Sequence, residues 1–447
     1  MFRNRDAIER GPAHEAALDC LAAGIRAAHP ERAVSEHVSV RDGVLTVAGD
    51  AYELTEYDDV LVVGGGNAAG VVAEALEDRL ADHLSDGLIV TDEPTMTSRI
   101  QQVRGRHPIP NADAEGGVRT MRELVGQADR DTLILAVITG GGSALLPAPA
   151  GEVSLTALQT VTDALLDAGA SIEDLNAVRK HLSAIKGGRL GRESAPATVI
   201  GLVFSDVVGD DLGVIASGPL TADPTTYADA LEVLDRYDVA APPAVRTHLE
   251  RGVAAEREET PAPADDALGS VTQYVLASNH TAIDAARAAA RDRGLDTMVL
   301  AGGIEGEARD VGRMHAAIAI EALERGDPVT PPAVVISGGE TTVTVRGDGD
   351  GGPNQEVAVG AALGLARGTS DPAVLASIDT DGIDGASDAA GGIVDQATVR
   401  DPRQAQAALD RNDTGPYLEA RDGRLVTGFT GTNVNDLRVV VIGALSQ

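Results

Sequence analysis

The chain has 447 residues, 43% of them hydrophobic and 2% aromatic, and its 69 acidic residues against 36 basic ones give a net charge of −33. This length exceeds what one hydrophobic core usually spans, so we expect two domains. The acidity argues against a nucleic-acid-binding protein, and no apolar run is long enough to cross a bilayer.

Lysine is nearly absent: Lys180 and Lys186 are the only two among the 36 basic residues. An acid-rich, lysine-poor surface suits a protein kept soluble in molar salt, where the Debye length is about 3 Å, so we expect a halophilic source; a GC-rich genome is the alternative. The single cysteine, Cys20, favours a reducing cytoplasm. The N-terminus mixes both charge signs, which predicts an amphipathic helix over 5–28 rather than a targeting segment.

The first half of the chain alternates apolar runs with Ala-rich periodic stretches, after a predicted hairpin at 37–49. The predicted strands are 60–63, 87–91, 132–138 and 198–204, and the predicted helices are 68–83, 113–127, 154–168 and 174–185. This alternation predicts an N-terminal α/β domain with a doubly wound, mainly parallel sheet.

A polar, acidic stretch at 251–269 is predicted to be a linker or long loop. The alternation then resumes, with strands at 272–277, 297–300, 333–337 and 437–443, helices at 280–294 and 306–325, and an extended run at 341–346. The second half therefore predicts a C-terminal α/β domain with a mixed sheet. We place the two domains at 1–265 and 266–447.

Glycine-rich loops follow several predicted strands, where ligands bind in open α/β sheets. The first, VLVVGGGNAAG (60–70), contains Gly64, Gly65 and Gly66 before a predicted helix. Such a loop binds phosphate through backbone N–H groups. Three interpretations stay open: a dinucleotide site with Asp92 as the ribose carboxylate, another phosphate site, or a tight turn.

Two further loops have the same character. Gly140, Gly141, Gly142 and Ser143 follow the strand at 132–138, and Ser337, Gly338, Gly339 and Glu340 follow the strand at 333–337. More than one such loop favours a polyphosphate ligand over a single dinucleotide. A strained or capped turn is the alternative in each case.

The segment NAVRKHLSAIKGGRL (176–190) concentrates positive charge in an otherwise acidic chain. Arg179, Ser183 and Lys186 are spaced by four and three residues, which predicts one helix face. Both lysines fall here, and an ammonium is a compact charge that arginine does not imitate. We therefore expect this segment to bind an anion; a solvated basic face is the alternative.

Two acidic loops are candidates for a divalent cation. Asp206, Asp210 and Asp211 lie around Gly209, and a later loop at 377–395 carries further aspartates, Asp381 among them. Mg²⁺ takes one or two carboxylates together with phosphate oxygens. In a chain this acidic, chance clustering is the alternative.

Nine segments in this order resemble the glycerate 2-kinase family of the MOFRL type. They are GGGNAAG, HPIPNADAEGG, TGGGSALLPAP, NAVRKHLSAIKGGRL, SDVVGDDLGVIASGPLTADPTTY, SGGETTVTVRG, GGPNQE, DTDGIDGASDAAGGIVD and TGTNVNDL. The resemblance implies a two-domain α/β kinase that transfers the γ-phosphoryl group of ATP to the 2-hydroxyl of D-glycerate with Mg²⁺, in a cleft between the domains. Some relatives bear the name hydroxypyruvate reductase, so an NAD(P)-dependent reductase is a further alternative.

Two positions depart from the family. Asn67 stands where the family usually has lysine, and Pro353 where it usually has arginine. Because phosphoryl transfer depends on cations, we expect Lys186 and Arg179 to supply the charge, with Asn67 beside them. A related sugar acid as substrate, or a non-catalytic paralogue, are the alternatives.

The remaining expected site residues follow from these loops. Substrate binding is assigned to Asn354, Gln355, Thr432 and Asn433, and metal binding to Asp206, Asp210 and Asp381. We expect a small-molecule substrate, no nucleic-acid or membrane partner, and a cytoplasmic location; a homodimer is compatible with the sequence.

Overall fold

The computed structural model describes residues 1–263, 266–368 and 371–445. The helices are α1 (Arg5–Ile8), α2 (Pro12–Ala28), α3 (Pro30–His37), α4 (Ala69–Leu80), α5 (Ala112–Val125), α6 (Gly142–Leu145), α7 (Leu155–Asp167), α8 (Ile172–His181), α9 (Arg189–Glu193), α10 (Tyr227–Arg236), α11 (Pro243–Val253), α12 (Asn279–Asp292), α13 (Ala308–Arg325), α14 (Pro353–Gly368), α15 (Pro402–Asp410) and α16 (Thr414–Glu419). The strands are β1 (Val38–Arg41), β2 (Val44–Val47), β3 (Asp50–Glu53), β4 (Asp59–Gly65), β5 (Asp86–Thr91), β6 (Ile100–Arg104), β7 (Thr132–Thr139), β8 (Thr198–Phe204), β9 (Val271–Ala277), β10 (Asp296–Val299), β11 (Gly306–Glu307), β12 (Ala333–Gly339), β13 (Thr341–Thr342), β14 (Ala373–Asp379), β15 (Gly391–Asp395), β16 (Arg424–Leu425) and β17 (Asp436–Ile442).

Two compact units divide the chain. The central unit comprises Ala33–Leu276, and the terminal unit joins Met1–Arg32 to Ala277–Gln447. No helix in the described ranges combines the length and apolar character that a bilayer-spanning segment requires.

The central unit is built on a six-stranded sheet of order β6-β5-β4-β7-β8-β9. The ladders from β6 through to β8 are all parallel, which confirms the predicted parallel sheet. Its inner strands read as continuous apolar runs because helices cover both faces; every residue of β7 is buried. The carboxyl ends of β4, β7 and β8 are neighbours, so the loops that follow these strands lie side by side. The predicted hairpin is also present, as the antiparallel pair β1–β2.

The terminal unit contains a mixed six-stranded sheet of order β10-β12-β17-β14-β15-β16. Strands β10 and β12 are parallel, whereas β17 is antiparallel to both β12 and β14. Side chains alternate across the sheet: Val439 and Val441 pack with α2 and α12, whereas Val440 and Ile442 pack with α13 and α14. The mixed sheet predicted for the second half is therefore confirmed, and its last strand in sequence, β17, is central in space.

The observed units differ from the expected boundaries at two places. Met1–Arg32 belongs with the second half of the chain, because the apolar face of α2, with Leu18, Leu21 and Ile25, packs against α12 and β17. The strand predicted at 272–277 forms the edge of the central sheet as β9 instead of opening the second domain. An amphipathic pattern shows that a face is buried but not which sheet buries it. Residues 264–265 of the predicted linker lie outside the described residues.

The helix predicted over 5–28 is two helices, α1 and α2, which are separated by residues 9–11 because α2 begins at Pro12. Proline is tolerated at the first helical position, where its missing N–H has no intrahelical acceptor in any case. The break therefore follows from the chemistry of Pro12.

Candidate active site

Three consecutive glycines, Gly64, Gly65 and Gly66, at the end of β4 allow the backbone of neighbouring strands to approach closely. A Cβ on Gly64 would lie 2.0 Å from the Val137 carbonyl oxygen, and a Cβ on Gly66 would lie 2.1 Å from Thr139 Oγ1. Gly66 also has a φ of 133°, which side chains disfavour. These positions require glycine for packing, whether or not a ligand binds.

The N–H groups of this first loop are already bonded within the protein. Asn67 N–H donates to the Gly140 carbonyl at 2.8 Å, and Ala68 N–H donates to the Thr139 hydroxyl at 3.3 Å. The flanking amides of Gly66 and Ala69 donate to backbone carbonyls as well. The expectation that this loop cradles a phosphate or a dinucleotide therefore finds no support, because its donors are occupied.

The Asn67 side chain lies against the second glycine loop. A Cβ on Gly141 would fall 2.1 Å from Asn67 Oδ1, and that oxygen is buried without a hydrogen-bond partner among the described residues. Asn67 is therefore close to the anion-binding candidate described next, but it contributes no charge there.

The second loop, Gly140–Ser143, keeps open donors. It follows β7, turns through a left-handed Gly141 (φ 75°) and enters α6. Within the described part of the chain, the N–H groups of Gly140, Gly141, Gly142 and Ser143 have no acceptor. Consecutive unpaired amides in a loop form a concave anion-binding surface. Of the predicted phosphate loops, this one has the geometry that the prediction requires.

The basic segment is not one continuous helix, contrary to the prediction of a helix over 174–185. Helix α8 ends at His181, and Ser183 instead forms a β-bridge with Pro149. The Ser183 hydroxyl then accepts the N–H of Lys186 at 3.3 Å. A serine that bonds to nearby backbone competes with helix continuation, so Lys186 lies in a turn after the helix and not on the same helix face as Arg179.

Three of the basic side chains in this segment, Lys180, Arg189 and His181, are engaged in structural contacts. Lys180 Nζ lies 3.3 Å from a buried carboxylate oxygen of Asp223. Arg189 donates to the carbonyls of Lys180 and Ser183, both at 2.9 Å. His181 is bonded at both ring nitrogens, to a backbone carbonyl and to Glu259. These three side chains hold the segment together and are not available to a ligand.

Lys186 and Arg179 remain without an anionic partner in the described part of the chain. Lys186 is 2% exposed, and its ammonium donates to the Ala216 carbonyl at 3.3 Å. Burial, with a further contribution from the Arg179 charge, lowers the pKa of Lys186 to about 7. Burial also lowers the pKa of Arg179. A buried lysine and a partly exposed arginine that lack a carboxylate partner in the described part of the chain favour an anion site, since an acidic protein could readily have supplied a carboxylate.

A strained turn connects Lys186 to the second loop. Ala216 (φ 51°) and Ser217 (φ 62°) are both left-handed, and the Ser217 hydroxyl oxygen lies 2.8 Å from that of Ser143. Ser217 also donates to Asn176 Oδ1 at 3.0 Å. Non-glycine residues in this conformation concentrate at functional sites. The sequence analysis did not identify Ser217 or Asn176 as site residues. Both lie in segments that carry the family resemblance, and this location is the one sequence feature that could have identified them.

Among the predicted metal ligands, Asp206 lies at the second loop. Its carboxylate is so close that a Cβ on Gly140 would be 2.1 Å from Asp206 Oδ2. Burial raises the pKa of Asp206, so a nearby cation would relieve the desolvated carboxylate. Asp210 lies at a left-handed turn position with a φ of 56°, and within the described ranges no side-chain contact places it at the loop.

No group of three or more His, Cys, Asp or Glu side chains in residues 1–263, 266–368 and 371–445 is arranged to hold a metal ion. Mg²⁺ does not require one, because it is commonly bound by one or two carboxylates plus substrate phosphates. Asp206 fits that role.

The predicted loop in the terminal unit, Ser337–Glu340, is a closely packed strand end. Ser337 is fully buried and bonded to His315 Nε2 at 2.8 Å, while the Gly338 carbonyl accepts from Arg438 at 3.0 Å. A Cβ on Gly339 would lie 2.3 Å from the backbone of Ile304. Glu340 follows and is exposed. These glycines serve packing, so the predicted phosphate loop finds no support here.

Asn354 and Gln355, predicted to bind substrate, are buried at the start of α14. Their backbone N–H groups donate to the two Asp384 oxygens at 2.8 and 2.9 Å, and Asn354 Nδ2 donates to Asp436 at 2.6 Å. Asp384 therefore occupies the helix N-terminus, and Pro353 fits the first helical position. Gln355 Oε1 is buried without a hydrogen-bond partner among the described residues, and the substrate-binding role of both residues remains a prediction.

The other predicted residues of this unit lie on adjoining loops. Burial raises the pKa of Asp381, and Thr430 N–H donates to the Asp381 carbonyl at 2.9 Å. Thr432 is buried with its hydroxyl unpartnered among the described residues, and Asn433 is exposed, its Oδ1 accepting the Asn435 N–H. The roles predicted for these three residues remain predictions.

Two known domain families match different parts of the chain. Residues 16–250 match a domain of unknown function, DUF4147, and residues 333–436 match the MOFRL family. The two matches together cover most of the chain.

Similar proteins span nearly the full length. A glycerate 2-kinase of Pyrococcus horikoshii is 39% identical over 96% of this chain and 97% of its own length. A protein of Agrobacterium vitis that bears the name hydroxypyruvate reductase is 41% identical over 86% of this chain and 87% of its own. The crystal structure of a glycerate kinase from Thermotoga maritima is 36% identical, covers 96% of this chain and 99% of that one, and superposes with a TM-score of 0.84. The chain therefore belongs to the glycerate kinase family in which a DUF4147 domain is followed by a MOFRL domain.

Proposed function

We propose that this protein is a glycerate 2-kinase, which transfers the γ-phosphoryl group of ATP to the 2-hydroxyl of D-glycerate. The family relationship supports a glycerate kinase. The choice of ATP and of the 2-hydroxyl follows the names and chemistry of those relatives.

One observation carries the proposal: the buried Lys186 has no anionic partner among the described residues, feels the charge of Arg179, and donates to Ala216 in the turn that bonds to the Gly140–Ser143 loop. Gly142 packs on Ala216, whose carbonyl accepts from Lys186, so the ammonium and the open loop amides are parts of one site. Backbone donors next to two cations are suited to a polyphosphate.

The residues of this chain have distinct tasks in the transfer. The amides of Gly140–Ser143 hold phosphate oxygens in place. Lys186 and Arg179 offset the negative charge that spreads over the transferring group, which is the main contribution a protein makes to this reaction. Their charge replaces that of the cations expected at Asn67 and Pro353.

Mg²⁺ is the proposed metal cofactor, and Asp206 is the residue that would hold it beside nucleotide phosphates. When bound, the ion neutralises phosphate charge and favours departure of the ADP leaving group. Asp206 is already desolvated beside Gly140, which is the environment a cation would stabilise.

A reductase of hydroxypyruvate is opposed by the first loop. A dinucleotide fold binds the pyrophosphate with free N–H groups at its first strand–helix turn. The amides of Asn67 and Ala68 at that turn are bonded to Gly140 and Thr139. The hydroxypyruvate reductase name of one relative is therefore not adopted for this chain.

The salt habitat and compartment are further parts of the proposal. A net charge of −33 with two lysines supports a protein that works in molar salt, and the single, buried Cys20 suits a reducing cytoplasm. Activity that rises with KCl up to molar concentrations would support this assignment.

A coupled assay of ADP release with D-glycerate, ATP and Mg²⁺ in molar KCl tests the function. We expect turnover, and we expect the product to be consumed directly by added enolase, which identifies 2-phosphoglycerate. NADH oxidation with hydroxypyruvate in the absence of ATP would instead establish the reductase. Absence of both activities, with ATP still bound, would establish a non-catalytic paralogue.

A further inference from the structure

Asn176, Ser217 and Ser143 form a hydrogen-bonded chain next to the open loop. The Ser217 hydroxyl donates to Asn176 Oδ1 at 3.0 Å, and the hydroxyl oxygens of Ser217 and Ser143 are 2.8 Å apart. A hydroxyl group has one hydrogen to donate. Because Ser217 gives its hydrogen to Asn176, Ser143 must give its own to Ser217. The Ser143 oxygen is then left with acceptor capacity only.

The surroundings hold this polarity in place. Asn176 and Ser217 are buried, whereas Ser143 is half-buried and reachable. Ser217 has a left-handed conformation, which a non-glycine residue rarely adopts, and its carbonyl accepts the Gly187 N–H at 3.0 Å. A strained, buried serine between two polar partners indicates a position fixed for function.

This group of hydrogen-bonded side chains also contains a donor, the Asn176 amide, for which the described residues provide no acceptor. Asn176 Nδ2 is buried and has no acceptor within the described residues. Native structures rarely leave a buried donor unpaired, so its presence here points to a network that a ligand completes.

We propose that Asn176 and Ser217 are positioning residues that hold the Ser143 hydroxyl as a hydrogen-bond acceptor for a hydroxyl group of the acceptor substrate. Ionised phosphate oxygens carry no hydrogen, so Ser143 Oγ cannot bond to them in this polarity, whereas the adjoining loop amides can. The loop thus separates two ligand chemistries: N–H groups for the phosphate and an oxygen for an alcohol O–H. The inference rests on the proposed function, and it specifies that the acceptor is a hydroxy acid bound through its alcohol.

The hydrogen-bonded side chains of Ser143, Ser217 and Asn176 orient the alcohol but take no proton from it. They end at the carboxamide oxygen of Asn176, which is not basic enough to receive a proton. Ser143 therefore aligns the attacking oxygen with the phosphoryl group on the loop. As the new O–P bond forms and the bond from the γ-phosphorus to ADP breaks, the proton of the alcohol passes to solvent, which reaches the partly exposed Ser143.

Kinetics of Ser217→Ala and Ser143→Ala test this assignment, with Ser194→Ala as the matched control. Ser194 is another buried serine of the central unit, and its hydroxyl donates to the Leu190 carbonyl at 2.8 Å. Each site variant should raise the KM for D-glycerate about tenfold, the worth of one good hydrogen bond, and leave the KM for ATP within twofold. Ser194→Ala should change neither constant. Equal effects of Ser217→Ala on both KM values would overturn the proposal.

A double variant separates positioning from a general structural role. If Ser217 acts through Ser143, then Ser217→Ala in a Ser143→Ala background should change the KM for glycerate less than twofold. A further tenfold loss in that background would refute the assignment.

Binding measurements separate this inference from the proposed function. Calorimetry with D-glycerate and with propanoate, which has no hydroxyl, needs no turnover. Wild type should prefer glycerate, and Ser217→Ala should lose most of that preference. Failure of wild-type turnover refutes the kinase proposal alone, whereas an unchanged preference in Ser217→Ala refutes the positioning role.

Discussion

Replacing Lys186 with methionine should raise the stability of the protein while abolishing its activity. Burial lowers the pKa of Lys186 to about 7 from an ordinary value of 10.5, so the folded state disfavours the ammonium by about 5 kcal/mol at most. Between pH 7 and pH 10.5, Lys186 is protonated in the unfolded chain but not in the folded protein. The free energy of unfolding of the wild type therefore rises with pH in this range, and the full destabilisation from Lys186 is present below pH 7. Methionine has a similar stem and no charge. We expect the melting temperature of the variant to exceed that of wild type by about 2–8 °C at pH 6, with the difference vanishing near pH 10.5.

The Lys186→Met substitution should lower kcat although it raises stability. Loss of one transition-state cation in phosphoryl transfer costs about 10³–10⁵ in rate, and we expect a kcat loss in that range for Lys186→Met. Near pH 8, Lys186 is mainly neutral in the protein without ligand, and we expect a bound phosphate to restore its positive charge. ATP binding should therefore take up close to one proton in wild type and none in the variant, as calorimetry in two buffers of different ionisation enthalpy would show. In a pH profile of wild type, kcat/KM for ATP should fall above about pH 7. The Lys186→Arg variant should not show this decrease.

The matched control is the other lysine. Lys180 is paired with the buried Asp223, so Lys180→Met leaves an uncompensated carboxylate and should cost about 3–5 kcal/mol of stability. The two variants thus differ in the sign of the stability change. Turnover of Lys186→Met within threefold of wild type, or a melting temperature that falls at pH 6, would refute the reasoning.

Three further predictions concern the same loop. In a Lys186→Met background, Asn67→Lys should recover at least about tenfold in kcat, because Asn67 Oδ1 lies against Gly141; no recovery would mean that a cation there cannot reach the phosphate. Asp206→Asn should raise the Mg²⁺ concentration for half-maximal activity about tenfold at saturating ATP, and an unchanged Mg²⁺ titration would exclude Asp206 as the ligand. Gly140→Ala should displace the Asp206 carboxylate, which would lie 2.1 Å from the new Cβ, and should add little to Asp206→Asn; additive losses would contradict a shared cause.

The alternation of apolar runs was sufficient to predict most of the sheet in the central unit. Strands predicted at 60–63, 87–91, 132–138 and 198–204 correspond to β4, β5, β7 and β8 within two residues at either end. These strands are apolar throughout because both faces are covered, and that pattern is local. The weaker strand β6, which has a single fully buried apolar residue, Ile100, escaped prediction.

Local patterns could not decide which unit an element joins. The apolar face of α2 and the strand β9 are equally compatible with either sheet, and only long-range packing assigns them. The end of α8 is a similar case. Its helical spacing continues through Ser183, but the pairing of Ser183 with Pro149 and the serine–backbone bond to Lys186 stop the helix at His181.

What the sequence alone determined is the inventory of the site: the order of glycine loops, the two lysines in one segment, and the unusual residues Asn67 and Pro353. What only the tertiary structure decided is which of those groups are free. Gly64–Gly66 and Gly140–Ser143 look alike in sequence, yet the amides of Asn67 and Ala68 are consumed by the neighbouring loop, whereas those of Gly140–Ser143 are open. Likewise Lys180 is paired with the buried Asp223, whereas Lys186 has no anionic partner among the described residues. Hydrogen-bond and ion-pair partners come from distant parts of the chain, so a residue's availability to a ligand depends on contacts that no local pattern encodes.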